Sequence, residues 1–428
     1  MPLRIALLCL LLTSVIAAVA ADEPSVLLKE AAGLKWYRGN MHTHSLWSDG
    51  DDYPEMIAAW YREHGYDFLV FTDHNVLLRG DRWIDIEKNK GGRKAFDRMQ
   101  ARFPGNWVQT RTEGEREQVR LKTFDEVFQR FAEPQKYLLI QGEEITDRFR
   151  NLPVHLCATN VTELLPPLHG DSVLEVMQQN INAAVSRRER TGDKTLVHLN
   201  HPNFGYGVTA EDLMKVVGEN FFEVYNGHPG VANSGDATHA STKRMWDIIN
   251  TWRLARLDLP VMYGLATDDG HAYHETVPGK ASQPGRGWVM VLAGSLDPDS
   301  LVTALEAGQF YSSSGVMLNS IRVADGVFSV DVAGDPDVTY RIEFIGTRKG
   351  FDDTVRPPVD DPQKAALMTQ VYSDDVGVVL QATDGTSASY RFTGDELYVR
   401  AVVTASHLHP NPSEPGDFEQ AWIQPVSP

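Results

Sequence analysis

His42 and His44 are separated by a single residue in the segment Asn40-Met41-His42-Thr43-His44-Ser45. On a strand, that spacing turns both imidazoles to one face, where they can bind one metal ion together. Asp269-Gly270-His271 repeats the spacing with one carboxylate and one imidazole, and Asp73-His74-Asn75 adds a further acid–imidazole pair. Imidazole and carboxylate donors suit Zn²⁺, Mn²⁺ or Fe²⁺, and the chain offers no thiolate set that would point elsewhere. An H-x-H pair alone is a weak signal. Its weight comes from what surrounds it.

The elements that must position these residues are short apolar runs, each ending in polar groups. Phe68-Leu69-Val70-Phe71 runs into Thr72-Asp73-His74, and Tyr137-Leu138-Leu139-Ile140 into Gly142-Glu143-Glu144. Leu196-Val197 leads to Asn200-His201, Phe221 to Val224 to Asn226-Gly227, and Val261 to Ala266 to Thr267-Asp268-Asp269. Each run has strand length and reads as a buried parallel strand. With Asn40–Ser45 and Val154–Ala158 they make seven candidate strands before residue 270. Helical patterns alternate with them: Pro54 to Glu63 opens on a proline, Val173 to Arg187 has apolar residues at helical spacing, and Thr209-Ala-Glu-Asp212 resembles a capping box. Strand–helix alternation implies an α/β sheet or barrel. In barrels the active site lies at the C-terminal ends of the strands, which is where the polar residues fall here.

Two regions depart from this texture. Residues 80 to about 135 are a charged excursion with Trp83 and Trp107, readable either as a cap over the site or as a solvated peripheral helix pair. From residue 318 onward the pattern turns to β: a hairpin around Asp325-Gly326, then strands at Thr339–Phe344 and Leu397–Thr404. Residues 318–428 therefore read as a small β-sandwich-like domain.

The whole-chain properties narrow the classes. The chain has 428 residues, 42% hydrophobic and 23% charged, as in ordinary globular proteins. A formal net charge of −18 argues against nucleic acid or an anionic membrane as the main partner. Arg4, the apolar stretch Ile5 to Val19 and Ala18-Val19-Ala20 form a signal peptide over residues 1–20, which implies a periplasmic or secreted protein. Cys9 falls inside that segment, so the mature chain keeps only Cys157 and makes no internal disulfide.

Taken as a set, H-x-H-S-x-x-S-D-G at His42–Gly50, T-D-H-N at Thr72–Asn75, G-E-E-I-T at Gly142–Thr146, a lone histidine before Leu156, N-H-P at Asn200–Pro202 and D-G-H at Asp269–His271 resemble the PHP (polymerase and histidinol phosphatase) family of metal-dependent phosphoesterases. The resemblance spans about Arg38 to Ser314. With a signal peptide and a β tail, the chain looks like the secreted carbaryl-hydrolase-like (CehA/McbA) group. The resemblance implies a distorted (β/α)7 barrel in an α/β fold, and a centre of two or three divalent metal ions. It places His42, His44 and Asp269 on the first metal, His155 and His201 on the second, and Asp49, His74 and His271 on the third. Glu144 takes the bridging position, with Glu143 as the alternative register and Asp268 as the competitor of Asp269. Family members often carry histidine where Asp49 stands.

Ions about 4 Å apart hold a bridging hydroxide and clamp the attacking and leaving oxygens, so no serine or cysteine nucleophile is needed. Cys157 reads as a core residue. Asp73 and His198 are the candidate catalytic groups, for orienting a ligand or moving a proton. Asn226, His228 and His274 follow strand ends as candidate supports, and Arg38, Arg79 and Arg286 as candidates for gripping a phosphate oxygen. Phe310–Gly315 resembles a family segment that closes the barrel, and His407 and His409 receive no function. The expected activity is hydrolysis of a small phosphoester by a secreted metal-dependent enzyme. A carbamate or carboxylic ester hydrolase on the same centre is the alternative, and a non-catalytic binding protein is the reading of another class. An amidohydrolase-type barrel also begins with H-x-H, but it lacks the T-D-H-N and G-x-E segments.

Overall fold

The computed structural model describes residues 33–274 and 277–428. The signal-peptide expectation for residues 1–20 lies outside the described residues. Among the described residues, no helix is long and apolar enough to cross a membrane.

The apolar runs form one mixed, 13-stranded sheet. From one end its order is Tyr263–Thr267, Phe221–Asn226, Leu196–Leu199, Leu152–Thr159, Leu138–Phe149, Phe68–Phe71, Lys35–Asn40, Trp288–Ala293 and Phe310–Ser313. It continues through Phe418–Val426, Glu396–Leu408, Tyr340–Arg348 and Val378–Asp384. Lys35–Asn40, Phe68–Phe71 and Leu138–Phe149 run parallel, as do Leu196–Leu199, Phe221–Asn226 and Tyr263–Thr267.

Two expectations are corrected. Leu152–Thr159 is antiparallel to both neighbours, because only Arg150 and Asn151 connect it to Leu138–Phe149. A link that short permits a hairpin but not a parallel crossover. The sheet as hydrogen-bonded is also open rather than a closed ring of seven parallel strands. Its end is drawn toward the first strand by an isolated parallel bridge between Thr43 and Gly270, where the His44 N–H donates to the Gly270 carbonyl at 3.0 Å.

Helices cover the sheet where the pattern put them. Pro54–Glu63 carries proline in its first turn. Val173–Thr191 is capped by Ser172, whose hydroxyl accepts from the Glu175 N–H at 3.1 Å, and it ends on Gly192 at φ 77°. The Thr209/Asp212 capping box is present but opens a helix of only 4 residues, Ala210–Leu213.

The excursion at 80–135 is more than a solvated helix pair. It holds a three-stranded sheet (Trp83–Asp85, Arg116–Arg120, Thr110–Glu113) and the helices Gly92–Arg102 and Phe124–Phe131. Its Phe96, Met99, Val119 and Phe131 pack into one core with Trp47, Ile57 and Tyr61. The Trp47 indole N–H donates to the Lys122 carbonyl at 2.9 Å, and Lys90 reaches the Asp49 carbonyl, so the excursion touches the rim of the site.

Beyond residue 318 the described chain is mainly β. Leu318–Ala324 and Val327–Val332 form the expected hairpin, with Asp325 at φ 53° and Gly326 at φ 70° in the left-handed conformation its tight turn demands. Ser387–Arg391 completes that small sheet, while the longer strands of the region extend the large one.

Candidate metal centre

The strands deliver their polar residues to one place. Lys35–Asn40 ends just before His42, so His42 and His44 stand on the segment that leaves the strand, their ring centroids 5.0 Å apart. The following loop turns back on itself, with the Ser48 and Gly50 N–H groups both donating to the Ser45 carbonyl. Gly50 is needed there, because a Cβ would lie 2.5 Å from the His44 carbonyl oxygen. This return carries Asp49 to the imidazoles. Its Oδ1 lies 3.2 Å from His271 Nε2, 3.4 Å from His74 Nε2 and 3.8 Å from His44 Nδ1.

Glu144 lies at the middle. Its Oε1 is 3.1 Å from His155 Nδ1, 3.4 Å from His201 Nε2 and 3.5 Å from His42 Nε2. Its Oε2 is 2.5 Å from His74 Nδ1 and 3.5 Å from His44 Nε2. Asp269 Oδ1 faces His44 Nε2 at 3.1 Å and His42 Nε2 at 3.3 Å. The sets His42/His44/Glu144, His42/His201/Asp269, Glu144/His155/His201 and His44/Asp49/His74/His271 each bring their ligand atoms within 4.8 Å of one another. Every residue that the resemblance assigned to a metal falls in one of these overlapping groups.

The neighbouring candidates point elsewhere. Glu143, on the other face of the strand from Glu144, accepts from the Leu165 N–H at 2.6 Å, and burial pushes its carboxyl up to about 8. Asp268 accepts from the N–H groups of Arg286 and Gly287 and from the Tyr61 hydroxyl at 2.6–2.9 Å, which turns it away from the imidazoles.

Two non-glycine residues in the left-handed region sit on this cluster, Asn75 and Asp269, both at φ 49°. Such backbone persists only when the surroundings hold it. At Asn75 they do: its N–H donates to the Glu144 carbonyl at 2.9 Å, and its side chain exchanges hydrogen bonds with both backbone groups of Thr146. That clamp fixes His74 beside Glu144, where a parallel bridge also forms.

Burial would raise the Glu144 and Asp269 carboxyls. The imidazoles packed around them outweigh it and hold both well below the usual carboxylate range. Several buried atoms still lack hydrogen-bond partners among the described residues: His42 Nε2 and both ring nitrogens of His44. An unpartnered buried polar atom costs about 1–3 kcal/mol. Here such atoms converge on shared points, an arrangement that divalent cations would satisfy and the protein's own groups do not.

The tautomers agree with that fit. His271 Nδ1 lies 2.8 Å from the Asp269 carbonyl oxygen and must donate to it, leaving the Nε2 lone pair aimed at Asp49. His42 Nδ1 lies 2.8 Å from Glu223 Oε1, which leaves His42 Nε2 as its ligand atom.

Glu223 is the residue that the sequence reading missed. It also accepts from the Thr267 hydroxyl (2.8 Å), the His201 N–H (2.8 Å) and the Asn226 amide (2.7 Å), tying His42 and His201 to the strand between them. The one available signal was a lone carboxylate inside the apolar run Phe221–Val224.

The expected catalytic pair lies behind the ligand layer. Asp73 is buried and accepts from the Ser45 N–H and from the Ser45 and Ser48 hydroxyls at 2.6–2.9 Å, so it shapes the loop that carries Asp49. His198 is fully buried, 3.4 Å from Glu223 and grouped with His42 and Cys157, a position no substrate reaches directly. Cys157 is buried, and its sulfur accepts from the Asn200 amide at 3.2 Å.

The arginines expected to grip phosphate are engaged elsewhere. Arg38 stacks on Trp288 and Tyr66, Arg79 donates to the Thr162 carbonyl, and buried Arg286 donates to the carbonyls of Gly227, Ala281 and Asn411. The Lys90 ammonium lies 3.9 Å from Asp49 Oδ2 at the rim. Asn226 donates to Asp269 Oδ2 at 3.2 Å, and His274 donates to the Asp51 carbonyl at 2.8 Å. His407 pairs with Glu419 at 2.7 Å and is exposed, while His409 is buried with Nδ1 accepting from the Asn411 N–H at 2.9 Å.

No protein-family model matches the chain. A stretch of 66 residues is 32% identical to the DNA polymerase/3'-5' exonuclease PolX of Bacillus subtilis, covering 15% of this chain and 12% of that protein. Among solved structures, the chain is similar to a two-domain protein of Bacteroides vulgatus described as containing a predicted PHP-like metal-dependent phosphoesterase. The likeness is 12% identity over 95% of this chain and 99% of that one, at a TM-score of 0.39. It is also similar to PsfC from Pseudomonas syringae, at 13% identity over 63% of this chain and 88% of that one, with a TM-score of 0.32. Superpositions this loose carry neither fold nor function, and the functional reading rests on the site itself.

Proposed function

We propose that this protein is a metal-dependent hydrolase of the PHP type, a phosphoesterase acting on a small molecule. The observation that carries the reading is the convergence of imidazoles and carboxylates on shared, unpartnered points around Glu144. In this reading His42, His44 and Asp269 hold one ion, His155 and His201 a second, and Asp49, His74 and His271 a third, with Glu144 between them.

Divalent ions held in such an array would supply an activated water near neutral pH and charge stabilisation for the oxygens of an ester. The chain supplies the rest. Glu223 fixes the tautomer and direction of His42 through the 2.8 Å contact, and the Asp269 carbonyl does the same for His271. Asp73 holds the loop that presents Asp49. Lys90 at the rim offers a cation to an anionic substrate.

A second reading keeps the centre and changes the electrophile to a carbamate or carboxylic ester. Its support is the aromatic ring of Phe204, 5.1 Å from His201 and 6.3 Å from His155, together with the engagement of Arg38, Arg79 and Arg286 away from the cluster. Export to the periplasm or exterior is part of the proposal, on the strength of residues 1–20, as is membership of the CehA/McbA-like branch. We read residues 318–428 as a β domain outside the catalytic centre.

The test is a screen of the protein loaded with Zn²⁺ or Mn²⁺ against phosphate monoesters, phosphate diesters and aryl carboxylic esters. Hydrolysis of phosphate esters supports the first reading. Cleavage of aryl esters alone shifts the assignment to the second, and no hydrolysis of any class overturns both.

A further inference from the structure

His228 stands at the rim of the cluster with no part in holding it. It follows Phe221–Asn226, and its backbone is pinned: the His228 N–H donates to Asn226 Oδ1 at 2.8 Å, and the Val231 N–H donates to the His228 carbonyl at 3.0 Å. Asn226 is itself locked by Asn233, whose side chain accepts from its N–H at 3.0 Å and donates to its carbonyl at 2.8 Å.

The ring is oriented from behind. The Gly230 N–H donates to His228 Nδ1 at 2.9 Å. A ring nitrogen that accepts from an amide carries a lone pair, so this imidazole is neutral and bears its proton on Nε2. No described residue accepts a hydrogen bond from that Nε2–H.

The ring stands edge to face against His271, centroids 5.6 Å apart, and against Phe204 at 5.8 Å; Phe204 in turn packs on His201. His228 belongs to none of the groups whose ligand atoms converge, and it is half-buried where the ligands His42, His44 and His201 are buried. It is a fixed N–H donor, without an acceptor among the described residues, beside the candidate metal centre.

We propose that His228 is a substrate-contacting residue whose Nε2–H donates a hydrogen bond to a non-bridging oxygen of the phosphate ester held at the metals. The assignment rests on the phosphoesterase reading above. A donor fixed before the reaction stabilises developing oxyanion charge without reorganising, and removal of one such donor typically slows turnover by about 10²–10³-fold. At a half-buried rim the expected loss is nearer the bottom of that range.

The experiment uses the full chain loaded with Mn²⁺ as wild type, His228→Ala, His228→Gln and His228→Asn. Inorganic phosphate is the binding probe, followed by calorimetry, and p-nitrophenyl phosphate the turnover probe. Metal content is measured on every sample. The expected result is unchanged metal content, phosphate affinity about 10-fold weaker in His228→Ala, and turnover down by about 10²-fold. Glutamine, whose amide N–H can occupy the Nε2 position, restores part of both losses, and asparagine, which mimics Nδ1, does not. If the alanine variant fails to fold, the glutamine–asparagine comparison decides. Equal behaviour of those two variants, loss of metal from either, or phosphate binding and turnover in His228→Ala within twofold of wild type overturns the proposal alone. A metal-loaded wild type that neither binds phosphate nor cleaves the ester overturns the phosphoesterase reading and this proposal together.

Discussion

Two of the buried charged clusters in this molecule are built on opposite principles. Behind the helix Thr242–Trp252, Arg400 makes a bidentate pair with Asp247 at 2.6 and 2.7 Å, and the Tyr398 hydroxyl donates to the same carboxylate at 2.7 Å. The guanidinium lies 4.8 Å from the Trp246 ring, and only Arg400 Nη1 lacks an acceptor. The cluster is closed on itself. Around Glu144 the opposite holds: carboxylates and imidazoles face one another across 2.5–3.5 Å, with ligand atoms directed at common points and no lysine or arginine of the described residues paired with Glu144. Burial of charge alone therefore does not separate the two clusters; convergence of unpartnered ligand atoms does.

That contrast can be broken by mutation. His44→Ala should reduce hydrolysis by the metal-loaded protein below detection, with circular dichroism and the unfolding transition showing an intact fold. Full activity would mean that the first ion is misplaced. Arg400→Ala should do the reverse. It leaves the Asp247 carboxylate buried and unpaired, a defect worth about 3–5 kcal/mol, read as an earlier denaturant midpoint, while metal content per folded chain stays the same. Glu223→Gln lies between the two. It removes the charge that orients His42 while keeping the volume, so metal affinity and activity should each fall about 10–100-fold, with a smaller change in stability.

Acid should separate the regions once more. Burial would raise the Glu396 carboxyl, but hydrogen bonds from Thr393 and the Tyr390 hydroxyl outweigh it and lower it to about 2. A depressed acid contributes stability that is complete above its unfolded value of about 4.3 and is lost as the pH falls through about 2. The melting temperatures of wild type and Glu396→Gln should therefore differ most above pH ~4.3 and converge below it. Metal release from the Glu144 cluster should be a separate acid transition, because protons compete with the metal for its ligand atoms. A gap between the melting temperatures that is independent of pH would show that Glu396 is not held ionised by its partners.

The comparison also explains what the amino-acid sequence could and could not disclose. His42, His44, Asp269 and His271 were legible because period-two spacing at strand ends puts each pair on one face, whereas Glu144 was preferred to Glu143 only through the family resemblance. The two-residue link at Arg150 and Asn151 was a hairpin signal, but the apolar run Val154–Ala158 by itself encodes no direction, and its antiparallel course went unread. Glu223 was hidden because its partners, His42 and His201, are remote in sequence and meet it only when the strands align. Asp73 and His198 showed the right types at the right spacing. Only packing revealed that one holds a loop and the other is sealed behind Glu223.

The most direct measurement is the metal content of the protein purified without chelators, determined with turnover before and after addition of Zn²⁺ or Mn²⁺. The account predicts two or three tightly bound transition-metal ions per chain, and hydrolysis that is lost on chelation and returns when metal is restored. Less than one equivalent of bound metal, with no hydrolysis after either ion is added, would contradict it.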